Sequence, residues 1–288
     1  MAERVGTPTD RVGLLDVATL LLVALVFSPA FVGIARTWLE VEYLSYGILV
    51  APLCLYLAWW KRPALRRLPA RRDLRGGVVL LLALAVFFVG YLADLLFVQG
   101  LGMVLGLAAT VWLLKGLRWL RELAFPLGYL LFVVPPPQAI LGQLTTGLRL
   151  FVTSAALALL HRFELPVASD GNVIVLPRDT LFVADACSGI ASVLTLIPAA
   201  VLLAYFTQRS WPGRLLLVAS VVPIAMFWNF ARVIGTVLGS LEWGADQVAG
   251  PAHEMAGLIT FTLGCLTLLA VDSAFRRIGD RGAVRAPL

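Results

Sequence analysis

Apolar runs long enough to cross a lipid bilayer recur from one end of this chain to the other. They cover roughly 12–35, 43–60, 77–97, 99–115, 118–134, 188–206, 214–238 and 254–274. Each approaches the ~20 residues that a helix needs to cross about 30 Å of hydrocarbon. Only 14% of the residues are charged and 60% are hydrophobic, whereas a soluble domain carries about 25% charged residues. A water-soluble core is therefore excluded. The net charge of +6 does not indicate a nucleic-acid partner. The basic residues fall in short clusters between apolar runs, which is the signature of cytoplasmic loops and not of a nucleic-acid groove. The first run follows Arg4 and Arg11, as a signal peptide's would, but it is long enough to span and reads as a retained helix.

Loop charge orients the spans. Residues 61–75 hold Lys61, Arg62, Arg66, Arg67, Arg71, Arg72 and Arg75 against Asp73, so this loop is expected inside the cell. Lys115, Arg118 and Arg121 mark a second cytoplasmic turn, and Arg209 and Arg214 a third. Arg276, Arg277, Arg281 and Arg285 place the C-terminus inside. An even number of spans must then separate 115–121 from 207–214, yet three apolar stretches lie between them. The stretch 139–160 is the one expected not to cross. Gly142, Thr146, Arg149 and Thr153 form a polar stripe on it, with Leu141, Leu144, Leu148, Phe151, Val152 and Ala155 facing away. It also follows Pro135-Pro136-Pro137, and an arginine at the bilayer centre costs at least ~2.5 kcal/mol. It reads as an amphipathic helix in the outer interface.

Between that helix and the next span, 162–186 alternates β-branched runs with turns at Asp170-Gly171 and Pro177-Arg178-Asp179, the pattern of a small β-meander on the outer face. The expected fold is an all-α polytopic bundle of about eight spans, with an interfacial helix and a small extracytoplasmic insert. Residues 1–288 form one domain in this reading, with both termini cytoplasmic.

The chemistry collects at one end. Cys54, Cys187 and Cys265 form no CxxC pair, so zinc-ribbon and thioredoxin-like sites have no support, and neither a metal nor a cofactor is expected. Cys54 and Cys265 lie inside apolar runs and read as packing residues. Cys187, in Asp185-Ala-Cys-Ser188, falls where a span begins. Helix N–H groups there favour a thiolate, and Asp185 or Ser188 is expected to cap the helix. Arg232 lies near the outer end of its span with Asn229 one turn deeper. An ionisable residue inside a span is a functional candidate by default, although an arginine there can also simply snorkel to the interface. His253 precedes the last span and is expected at the same outer face. His161 has no constellation around it. A thiol, a permanent cation and an imidazole from separate helices at one depth are the inventory for thiol acyl transfer.

These residues also resemble a family. Ala186-Cys-Ser-Gly-Ile190 with Ser192, Asn229-x-x-Arg232 and the histidine ahead of the last helix are similar to the exosortase/archaeosortase membrane transpeptidases. Tyr46-Gly47, Leu57-Ala-Trp-Trp-Lys-Arg62, Asp170-Gly-Asn-Val-Ile174 and Pro223 extend the resemblance over about 43–270. Tyr46 and Ala191 depart from the residues often found in that family, but neither belongs to the proposed triad of Cys187, Arg232 and His253. The resemblance implies a multi-pass enzyme in the plasma membrane of a prokaryote, working on exported proteins. Their C-terminal tail would hold a short motif, one transmembrane helix and a basic cluster. The acyl group would pass to an acceptor that the resemblance leaves open. A transporter or flippase with Arg232 and Asn229 lining its path is the alternative, but it would distribute polar residues through several spans. An intramembrane serine protease would need a GxSxG motif, which the chain lacks.

Overall fold

The computed structural model describes residues 14–171, 173–177, 180–182, 189–248 and 250–284. It is helical throughout, apart from one small sheet. Among the described residues eight helices are long and apolar enough to cross a membrane, so the chain is a multi-pass membrane protein. The contacts divide it into two compact units, residues 1–137 and 138–288.

The first unit contains α1 (Leu14–Glu40), α2 (Gly47–Trp60), the short α3 (Arg62–Leu65), α4 (Leu74–Leu92) and α5 (Leu96–Lys115). The α4–α5 pair packs most closely. Carbon at Gly76 would meet the Leu113 backbone nitrogen at 2.4 Å, and carbon at Gly102 would meet the Phe87 nitrogen at 2.6 Å. Where lipid is as apolar as leucine, such small residues let backbones touch and gain dispersion contact in place of a hydrophobic drive. One end of the unit is tied by polar pairs. Arg72 bonds Asp16, Lys61 bonds Glu122 at 2.8 Å, and the Trp112 indole donates to Asp73 at 2.9 Å. Asp73 also caps α4 through the Arg75 amide. These hydrogen bonds, the indole's first, hold the Asp73 carboxyl below the usual carboxylate range.

The run expected to form a span at 118–134 is not one helix. It breaks into α6 (Leu117–Glu122), α7 (Ala124–Tyr129) and a 3₁₀ turn, Leu130–Val133. Pro126 gives the reason: it has no N–H to offer the Glu122 carbonyl, so α6 stops there and a new helix starts with proline in its first turn. The broken segment nevertheless runs the length of α2. Glu122 meets Lys61 just past one end of that helix. At the other end, Trp38, whose ring lies against Gly47, donates to the Val133 carbonyl at 3.0 Å.

The second unit begins with α8 (Gln138–Arg162), followed by strands β1 (Ala168–Asp170), β2 (Val173–Val175) and β3 (Thr180–Phe182). The sheet is an antiparallel meander in the order β1-β2-β3, with Ser169 opposite Ile174 and Ile174 opposite Leu181. This is the insert expected from the turn pattern. Then come α9 (Ile190–Thr207), α10 (Trp211–Ala219), α11 (Val221–Trp243), the short α12 (Ala245–Val248) and α13 (Pro251–Val284). Ile174 and Leu176 of the insert pack with Val152, Ala156 and Leu160 of α8 on Val233 and Val237 of α11. Leu196, Ala200 and Ala204 of α9 pack with Leu217, Val221 and Ala225 along α10 and α11, and with Leu268 of α13.

Helix α8 corrects the stripe expected on it. Thr153 is buried, while Leu144 and Phe151 are exposed. The buried face is Leu141, Thr145, Val152, Ala156 and Leu160, mixed in polarity, and the outward face is largely apolar. A helix in contact with lipid has no need to turn its leucines inward, so amphipathicity assigned against water misplaces them. At 25 residues and a mean hydropathy of 1.3, α8 is among the eight helices that meet the length and composition of a span, whereas the broken 117–133 segment is not.

Candidate functional site

Within the second unit, α11 packs on both α9 and α13, and near the starts of those two helices its Asn229–Arg232 pair faces one on each side. Asn229 is 2% exposed. Its Oδ1 accepts a hydrogen bond from Arg232 Nη2 at 3.1 Å, the i,i+3 geometry anticipated from their spacing. The other edge of the Asn229 side chain faces α9: carbon at Gly189 would stand 3.3 Å from both Cγ and Nδ2. Gly189 is the N-cap of α9 and holds φ +84°, a left-handed conformation open to glycine at little cost. The expected caps, Asp185 or Ser188, are corrected by this: the helix begins at Ile190, and the residue before it in the capping position is Gly189.

The other side of Arg232 faces α13. Carbon at Gly257 would stand 3.2 Å from Arg232 Nη1. Gly257 is one helical turn beyond His253, and both are on the first turns of α13. The Arg232 charge reaches the half-buried His253 ring, which also feels Glu254 beside it. The guanidinium is thus set between the Asn229 amide of its own helix, which lies against the α9 cap, and the Gly257 backbone of α13.

Asp185, Cys187 and Ser188 lie outside the described residues. Cys187 is two positions before Gly189 in the chain. The remaining cysteines are elsewhere: Cys54 is buried in α2, and Cys265 is half-buried on α13. His161, in the last turn of α8, bonds the Val167 carbonyl at 2.7 Å, a tie between that helix and the insert. Among the described residues no cluster of histidine, cysteine and carboxylate side chains offers a metal site.

One charged residue was missed from the sequence. Asp272 is 1% exposed near the far end of α13. It accepts from Thr207 Oγ1 at 2.6 Å and Gln208 Nε2 at 2.7 Å, and pairs with Arg276 Nε at 3.0 Å. A buried carboxylate is tolerable when its oxygens are satisfied in this way. The signal was available: an acid inside the last apolar run with an arginine four residues on.

The fold and this cluster define a polytopic membrane protein with a charged, helix-held polar site at one end of a helical unit. The chain belongs to the transmembrane exosortase family, whose model matches residues 38–270. Neither a curated protein nor a solved structure gave a match.

Proposed function

We propose that this exosortase is a cysteine transpeptidase that works at the extracytoplasmic face of the plasma membrane. In this reading Cys187, Arg232 and His253 are catalytic, and Asn229, Ser188 and Asp185 support them. The observation that carries it is the convergence on α11: Asn229 against the α9 start that follows Cys187, and Arg232 against the α13 turn that follows His253.

The chemistry follows from these groups. The Cys187 thiol gives its proton to the His253 imidazole, and the N–H groups at the start of α9 and the Arg232 cation favour the thiolate that results. The thiolate adds to the scissile carbonyl carbon, and the oxygen takes the negative charge beside the guanidinium. The tetrahedral adduct collapses as the C–N bond breaks. The leaving amine takes its proton from the His253 imidazolium, and a thioester on Cys187 remains. An acceptor nucleophile then gives its proton to His253, adds to the thioester and releases the thiolate. The substrates are exported proteins with a tripartite C-terminal tail, whose transmembrane helix lies beside the bundle with its basic end inside, so that the recognition motif reaches the outer face.

The test is tail removal from a reporter carrying such a tail, measured at a fixed enzyme level. Cys187→Ala should abolish processing while the protein still accumulates, and Cys54→Ala and Cys265→Ala should retain it. Arg232→Lys should lose roughly 10²–10³ in rate, because lysine keeps the charge and loses the placed fork of donors. His253→Ala should fall by about 10² or more. Full processing by Cys187→Ala would remove the nucleophile from the mechanism. Wild-type processing by Arg232→Lys would show that charge alone suffices.

A further inference from the structure

The charge at the tied end of the first unit exceeds what its own carboxylates neutralise. Among the described residues, the acids there are already engaged: Asp16 with Arg72, Glu122 with Lys61, and Asp73 with the Trp112 indole. Arg62, Arg66, Arg67, Arg71, Arg118 and Arg121 remain exposed, with no ion pair among the described residues.

The turn that carries these arginines is held in place. The Arg71 amide bonds the Lys115 carbonyl at 3.3 Å, and the Asp73 amide bonds the Leu113 carbonyl at 3.1 Å. Gly116, at φ +91°, presses so closely that carbon there would meet the Arg71 carbonyl oxygen at 2.7 Å. Helix α3 packs on α6, which brings the Arg62–Arg67 stretch towards Arg118 and Arg121. Beside them Tyr56, Trp59 and Trp60 are each more than half exposed, with the Arg62 guanidinium 5.9 Å from the Trp59 ring. Aromatic side chains of this kind mark the headgroup level of a bilayer.

The orientation bias of a loop needs only positive charge, and mobile lysines would supply it. A pinned turn of arginines supplies more, because planar guanidinium forks bind phosphate oxygens in pairs. We propose that this face is a binding surface for the phosphate headgroups of anionic phospholipids. Its centre is Arg66, Arg67 and Arg71, the aromatic side chains set its depth, and bound lipid bridges the α3 and α6 sides of the patch. The surface is in a different unit from the proposed catalytic residues, and the proposal does not depend on the transpeptidase reading.

The test uses full-length protein, purified in neutral detergent and equilibrated with equimolar phosphatidylglycerol and phosphatidylethanolamine. Retained lipid is counted by native mass spectrometry. Wild type should favour phosphatidylglycerol by about tenfold or more, since each basic residue near an anionic surface contributes about fivefold. The preference should shrink as salt rises from low to high ionic strength. The triple variant Arg66→Gln, Arg67→Gln, Arg71→Gln should lose most of it, and reporter-tail processing in detergent should stay at the wild-type level. Arg67→Gln alone, about fivefold weaker, provides the same reading if the triple variant fails to accumulate. Equal retention of both lipids by wild type would overturn the proposal. So would an unchanged preference in the variants, or loss of bound phosphatidylglycerol to millimolar inorganic phosphate, which would mark a site for the free anion.

Discussion

Gly257→Ala isolates the placement of the Arg232 guanidinium from its presence. The added methyl would stand 3.2 Å from Nη1, short of an ordinary carbon–nitrogen contact by a few tenths of an ångström. Because the obstructed atom is the far end of a flexible side chain, the arginine yields and the helix backbone does not. A misplacement of about 1 Å in a catalytic group costs on the order of 10² in rate. A shift of roughly 0.3–0.5 Å should therefore cost about 4–10-fold, well short of the 10²–10³ expected when a preorganised donor is lost. Stability should move the other way, since alanine is favoured over glycine in a helix interior by about 1 kcal/mol. The assay is reporter-tail processing at fixed enzyme level, alongside thermal unfolding in detergent. Gly264→Ala is the control on the same helix, because its methyl would meet Leu196 at an ordinary 3.4 Å. A variant that is slower yet no less stable fits the account. Wild-type processing by Gly257→Ala would refute it, since the position of the guanidinium would then be immaterial. In an Arg232→Lys background Gly257→Ala should add little, because the shorter point charge has no fork to displace.

Two further outcomes are expected. Gly189→Ala places a side chain at φ +84° and 3.3 Å from Asn229. It should cost about 1–2 kcal/mol in stability from the backbone alone, together with a loss of processing. A stable, fully active Gly189→Ala would show that the α9 start tolerates another conformation. Single cysteines labelled with an impermeant maleimide in intact cells should react at Asp246 and stay protected at Arg67, and one at Arg162 should react if α8 keeps to the outer interface. A protected Asp246 beside a reactive Arg67 would invert the orientation.

The residues that converge on α11 were legible one by one, and their convergence was legible only through topology. Arg232 stood out because an ionisable group in a span needs a reason, and Asn229 because three residues separate them on a helix. Gly257 could not be singled out, since a glycine's importance there depends on a neighbour from another helix approaching it. The Gly189 cap was hidden for a similar reason: Asp185 and Ser188 are better capping residues by preference, yet the left-handed turn begins the helix later. The β insert was readable from its turn residues. The broken segment 117–133 was not, because hydropathy averages over Pro126 and the helix break it causes. The faces of α8 were misassigned because a stripe drawn against water does not hold for a helix whose outer side meets lipid. Asp272 was overlooked as a lone charge, although its arginine four residues on marked it as a partnered one.

The central claim, that Cys187 carries the acyl group, is tested most directly by the intact mass of the purified enzyme mixed with a tail-bearing substrate and quenched in acid. The account predicts a single adduct equal in mass to the tail-less carboxylic acid product less one water. It should be released by hydroxylamine, map to the peptide that contains Cys187, and be absent in Cys187→Ala. Tail removal with no adduct at any time point, or an adduct on another residue, would contradict it.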